Sequence, residues 1–154
     1  MGRSPNLPPL LEEGELDIVL TTRHSERFEG RLLRSSPTVW IGAVGTHLPP
    51  NAPVPLVLAD GPSIFRRMAL AALDQRGVPW VERYTCPSLS SIQVALSAGL
   101  GITARTPEML TSELRIFGEQ EGLPPLPNVN FYVYRGHGQI GEPAIHLFDL
   151  LCSV

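Results

Sequence analysis

At 154 residues, with 43% hydrophobic and 18% charged residues, the chain has the size and composition of about one globular domain, which excludes a disordered segment. Its net charge of −3, carried without a single lysine, argues against a nucleic-acid-binding surface as the chain's own task. No apolar run is long enough to cross a membrane, the MGRSPNLPPLLEEG start lacks a signal-peptide core, and Cys86 and Cys152 fit neither a metal spacing nor a disulfide framework. The expectation is a cytoplasmic protein with no cofactor, no metal and no membrane contact.

Taken in order, Leu7, Leu10 and Leu11 around Pro8-Pro9 predict a short helix stopped at Gly14. Leu16–Leu20 (LDIVL) is an almost continuous apolar run, the pattern of a buried central or parallel strand. Such a strand needs neighbours on both sides, and little precedes it, so the chain is expected to begin inside a larger unit. Thr21-Thr22-Arg23-His24-Ser25 is the polar exit from that strand, the position at which open α/β sheets bind ligands. Gly30–Ser36 and Thr38–Val44 are two further extended runs separated at Ser36-Pro37, and His47–Pro53 is a proline-rich loop.

Val54–Ala59 (VPLVLA) predicts another buried strand, and Asp60-Gly61-Pro62-Ser63 turns it into a helix over Ile64–Gln75. Phe65, Met68, Ala69, Ala72 and Leu73 form that helix's core stripe, and Gly77 ends it. On a helix, the Arg66-Arg67 doublet is expected to be solvated.

The phrase from Trp80 to Pro107 is the most ordered in the chain. Val81–Thr85 reads as a strand, Ser88 as an N-cap, and Leu89, Ile92 and Leu96 fall at helical spacing. Gly99 suits a left-handed helix stop, and Gly101-Ile102-Thr103-Ala104 resumes as a strand. Because these glycines follow a helix and precede a strand, they do not match a dinucleotide-binding loop, whose glycines stand in the reverse order. The middle of the chain therefore reads βαβαβ, an α/β pattern with parallel strands.

Beyond Pro107 a turn around Glu108–Leu110, a short strand over Leu114–Phe117 and the connector Gly122–Pro127 follow. Asn128–Arg135 (NVNFYVYR) alternates as a half-buried strand, with Val129, Phe131 and Val133 on its apolar face. Gly136-His137-Gly138 is a joint, and a last helix from Pro143 presents Ile145, Phe148 and Leu151.

In this order, LLEEGELDIVL, PVPLVLADGPSIFRRMALAALDQRGVPW, CPSLSSIQVALSAGLGITART and EGLPPLPNVNFYVYR resemble the effector-binding domain of LysR-type transcriptional regulators. The resemblance covers nearly the whole chain. It rests on Glu13-Gly14-Glu15-Leu16-Asp17 and Ala98-Gly99-Leu100-Gly101-Ile102 as well as on the order of the phrases.

The resemblance implies a type 2 periplasmic-binding-protein-like α/β fold of two lobes, with lobe I incomplete. Lobe I would take residues 1–36 and 138–154, lobe II 37–137, with hinge crossings near Ser36 and Gly138. The family's helix-turn-helix domain, linker helix and first strand and helix of lobe I have no counterpart in these residues, so DNA would be bound only through a domain absent here.

On the same analogy, a small anionic effector would bind in a cleft lined by four stretches. These are Thr21, Thr22 and Arg23; Gly61, Pro62 and Ser63; Cys86, Pro87 and Ser88; and Thr103 with Arg105. Two helix N-termini and one arginine suit an anion. A surface ion pair is the competing reading of Arg105. Two alternatives stand beside the sensor reading. One is an interaction module forming homo-oligomers, or mixed oligomers with full-length family members. The other is a small hydrolase using Ser63, Ser88 or Cys86 with one of His24, His47, His137 and His146, although no catalytic motif surrounds them.

Overall fold

A computed structural model describes residues 7–153, so residues 1–6 and 154 of the expected lobe I lie outside the described part. The chain divides into two compact units. One comprises the residues up to Ser36 together with those from Val129 onward, and the other is the continuous stretch Pro37–Asn128.

In the first unit, α1 (Leu7–Glu12) precedes β1 (Ile18–Thr21), followed by β2 (Glu29–Ser36), β8 (Val129–Arg135) and α4 (Glu142–Ser153). The three strands form a sheet in the order β1-β8-β2, and both pairings are antiparallel. Two expectations are corrected here. Among the described residues LDIVL pairs only with β8, and antiparallel, rather than lying between two parallel neighbours. β1 forms an edge of this sheet among the described residues, with Val19 buried and Leu20 53% exposed, because only one of its faces meets Leu11, Phe28 and Tyr134. The second crossing falls between Asn128 and Val129 rather than near Gly138, because β8 is hydrogen-bonded to both β1 and β2. As the central strand, β8 is also covered on both faces. Val129 and Val133 are fully buried on one, and Tyr134 joins the α1 cluster on the other.

The second unit is built on a five-stranded sheet. Its strands are β3 (Val39–Ala43), β4 (Val54–Ala59), β5 (Trp80–Cys86), β6 (Ile102–Arg105) and β7 (Leu114–Phe117), in the order β5-β4-β6-β3-β7. The βαβ reading holds: β4 runs parallel to both β5 and β6, while β3 is antiparallel to β6 and β7. Helices α2 (Ile64–Gln75) and α3 (Leu89–Ser97) cover opposite faces. Leu56 and Leu58 of β4 pack with Ala69 and Leu73 of α2, whereas Val57 packs with Ile92 and Leu96 of α3. A strand buried on both faces is apolar at every position, which is why VPLVLA has no alternation.

The glycine turn behaves as its order in the chain requires. Gly99 has φ +76°, a helix stop that other residues enter only with strain. A Cβ on Gly101 would lie 2.6 Å from the Pro55 carbonyl oxygen. Across the sheet, Trp40 donates its indole N–H to the Pro124 carbonyl at 2.8 Å and so pins the proline-rich connector. Among the described residues no helix is long and apolar enough to cross a membrane.

Candidate functional site

The parallel strands β5, β4 and β6 deliver three of the four predicted stretches to one end of the sheet of the Pro37–Asn128 unit. Gly61, Pro62 and Ser63 follow β4, Pro87 and Ser88 follow β5, and Arg105 ends β6. The Asp60 amide donates to the Cys86 carbonyl at 3.0 Å, which ties the first two turns together. β4 connects onward to β5 on one side and has β6 on the other, so the chain leaves adjacent strand ends in opposite directions. Open α/β sheets form their ligand crevices at such a point.

Each side chain then has a definite environment. Ser63 is the N-cap of α2, with its Oγ accepting the Arg66 amide at 3.4 Å. Ser88 caps α3 through a reciprocal pair with Ser91, each hydroxyl accepting the other residue's amide at 3.2 Å. Both hydroxyls thus satisfy amides that the first helical turn would leave without an acceptor, and what the helices can offer a ligand is their backbone N–H groups. Cys86 is 5% exposed and packs with Ile92 and Leu96 in the core under α3. Thr103 is buried in β6.

Arg105 differs from these. Its guanidinium carbon lies 4.5 Å from the ring centroid of Phe65, the second residue of α2. Burial holds its pKa below the ordinary arginine value. It remains a cation, because a guanidinium does not lose its proton in proteins. Among the described residues no carboxylate lies within ion-pair distance of it, whereas Arg27, Arg66, Arg115 and Arg135 each hold a glutamate. The surface ion-pair reading of Arg105 is therefore not what the structure shows. A partly buried cation with one face on an aromatic ring and its N–H donors unclaimed by an acid is the chemistry of an anion site.

The remaining stretch belongs to the first unit. Thr21 is buried and its Oγ1 accepts the Arg23 amide at 3.1 Å, Thr22 is half-buried, and the Arg23 side chain is exposed. The loop after it is held to β8 by the Tyr134 hydroxyl, which accepts the Ser25 amide at 2.8 Å, and by His137, whose Nε2 lies 2.7 Å from the Arg27 carbonyl oxygen. His137 also stacks on Phe28, and His24 packs edge-on against Tyr132. Among the described residues no group of three His, Cys, Asp or Glu could hold a metal ion.

The family model described as the LysR substrate binding domain matches residues 1–150. The chain belongs to the LysR substrate-binding domain family. The HTH-type transcriptional regulator PecT of Dickeya dadantii (strain 3937) is 42% identical over 151 residues, which is 98% of this chain and 48% of PecT. The chain thus spans about half the length of that relative. Among solved structures, the regulatory domain of Synechocystis PCC6803 CcmR in complex with 2-PG aligns at a TM-score of 0.74 and 17% identity, covering 98% of this chain and 79% of that one. The bromide-ion-bound regulatory domain of HypT from Salmonella typhimurium aligns at 0.78 and 17%, covering 99% and 78%. At such identities these structures speak for the fold, which is the periplasmic-binding-protein-like α/β fold that the sequence led us to expect.

Within this LysR domain, two features escape sequence reasoning. Phe65 reads as one more core position of an amphipathic helix, although its ring carries Arg105. Arg66 is half-buried and paired rather than freely solvated: its NH1 and NH2 donate to the two carboxylate oxygens of Glu82 at 2.6 Å each, and NH1 also reaches the Ala59 carbonyl. Glu82 lies sixteen residues away on β5, so no local pattern announces the pair.

Proposed function

We propose that this domain is the effector-sensing part of a LysR-type transcriptional regulator, and that its Pro37–Asn128 unit binds the anionic group of a small metabolite. The anion would lie at the carboxyl ends of β5, β4 and β6, between the N-termini of α2 and α3, with Arg105 as the main cation. The observation that carries this reading is the guanidinium of Arg105, partly buried against Phe65 with no acid beside it among the described residues. Holding an unpaired cation there disfavours the empty domain, and an anion removes that cost. Solved relatives that share the fold support it in kind, since one is bromide-bound and another is in complex with 2-PG.

Ser63 and Ser88 would act as caps that orient helix amides rather than as nucleophiles, so the reading is one of binding and not of hydrolysis. In the whole regulator a helix-turn-helix portion would read DNA, as the name of PecT indicates for that protein.

The test is titration calorimetry of the chain and its Arg105→Gln variant with inorganic phosphate and with succinate. Loss of charge-assisted hydrogen bonds should weaken binding by about 30-fold, or roughly 2 kcal/mol. The unliganded variant should melt at the same temperature or higher, because the substitution removes a partly buried cation. Equal affinities for the two proteins would refute the assignment.

A further inference from the structure

Four polar residues of the described chain are buried: Thr21, Ser36, Thr38 and Thr103. Thr38 stands out among them. It is 5% exposed, and its Oγ1 has no hydrogen-bond partner among the described residues. Buried hydroxyls in folded proteins are nearly always paired, so an orphan requires an explanation. Thr46 also has an unpaired Oγ1, but it is only partly buried and lies in the loop after β3, at the opposite end of that strand.

The place of Thr38 supplies the explanation. It immediately precedes β3, whose first residue, Val39, is the register partner of Arg105. Because β3 is antiparallel to β6, the start of β3 lies beside the carboxyl end of β6, where Arg105 stands. Trp40 packs with Ala69 and Leu73 on the α2 side of the sheet. Side chains two residues apart in an extended run share a face, so Thr38 begins from the α2 side as well. Arg105, level with Val39, leaves β6 on the α3 side, and its guanidinium lies over the ring of Phe65 at the N-terminus of α2.

We infer that Thr38 is a further member of the Arg105 site, whose hydroxyl bonds a second oxygen of the ligand, and that the effector is accordingly a carboxylic acid bearing a hydroxyl or carbonyl oxygen on a carbon near the carboxylate. The inference rests on the anion-site reading of Arg105 given above. Its chemistry is complementary: Arg105 donates to the carboxylate, while the threonine hydroxyl, both donor and acceptor, accepts a hydroxyl or donates to a carbonyl. A site with a buried hydrogen-bonding group discriminates against the analogue lacking its partner, because that group is then left unpaired.

The experiment measures the affinity of the intact chain for three matched pairs, malate with succinate, lactate with propionate and 3-hydroxybutyrate with butyrate, and for inorganic phosphate. The wild-type chain should prefer the oxygenated member of at least one pair by about tenfold, the worth of one well-made hydrogen bond. Thr38→Val should abolish that preference by weakening only the oxygenated member, and Thr38→Ser, which keeps the hydroxyl, should retain it. Thr38→Val should also melt at the same temperature as wild type or higher, since it replaces an orphaned hydroxyl with a methyl group. Arg105→Gln should weaken both members of the pair. No preference in any pair, or a preference that survives in Thr38→Val, overturns the role of Thr38 while leaving that of Arg105 intact. Binding of phosphate with none of the six acids also overturns it, and binding of no probe at all overturns both readings.

Discussion

Arg66 belongs to α2 and Arg105 lies against it, and their surroundings give them opposite properties. The bidentate bond from Arg66 is the main reason the Glu82 carboxyl sits below its usual range; partial burial opposes the shift, and the Thr85 hydroxyl, 2.7 Å from Oε1, adds to it. The partner arginine is raised for the same reason. A carboxyl whose folded pKa is depressed contributes stability that is fully present above its unfolded pKa, about 4.3, and is lost as pH falls through the folded value. Glu82→Gln should therefore cost about 2 kcal/mol at pH 7. That difference from wild type should shrink as the pH is lowered from about 5 through the carboxylate range. Urea titrations across that range measure both quantities, and a pH-independent difference would rule out the charged pair as the source. Arg105 has no such acid to hold it among the described residues, which is why the proposed anion site is centred on it.

At the scale of elements, the glycine turn between α3 and β6 offers the sharpest contrast between two residues of one type. Gly101→Ala would press a Cβ to 2.6 Å from the Pro55 carbonyl oxygen, a backbone atom of β4 that cannot rotate away. β6 would have to move off β4, at a cost of about 2–3 kcal/mol. Gly99→Ala meets nothing within 4 Å and suffers only from its left-handed φ, a cost of about 1–2 kcal/mol. Gly101→Ala should also weaken anion binding, since β6 carries Arg105, whereas Gly99→Ala should not. Thermal melts with a phosphate titration separate the two, and equal effects would contradict the close-approach role of Gly101.

The legibility of the chain follows the same division between local and distant causes. β4, α2, β5, α3 and β6 were readable because caps, helical spacing and stop glycines act within a few residues. The pairing of LDIVL was not legible, because its partner among the described residues, β8, lies more than a hundred residues on, and an apolar run alone does not tell a central strand from an edge. Of the site, the strand ends and helix caps were legible. The ring under Arg105 was not, nor was the partner of Arg66, because both depend on which elements the fold brings together.

For the molecule as a whole, the two units differ in how they can hold together. Pro37–Asn128 is one continuous stretch with a sheet covered on both faces, and its clusters include Trp40, Leu56, Leu73, Ile92 and Leu96, each 2% exposed or less. The first unit joins two distant stretches of chain through a three-stranded sheet, and its α1-side cluster contains only Leu11, Val19, Phe28 and Tyr134 as buried members. Its assembly must close the whole intervening loop, and it has less buried apolar surface to offset that entropy. The first unit should therefore unfold at lower urea than the second. Both tryptophans of the chain, Trp40 and Trp80, lie in the second unit, so intrinsic tryptophan fluorescence reports that unit alone, whereas far-ultraviolet circular dichroism reports both. The dichroism signal should begin to fall before the fluorescence changes, and the two curves should not superimpose. A fragment of residues 37–128 should reproduce the fluorescence transition of the intact chain and keep its affinity for phosphate. Superimposable curves for the intact chain, together with an unfolded fragment, would show that the two units form one cooperative structure and that the anion site depends on both.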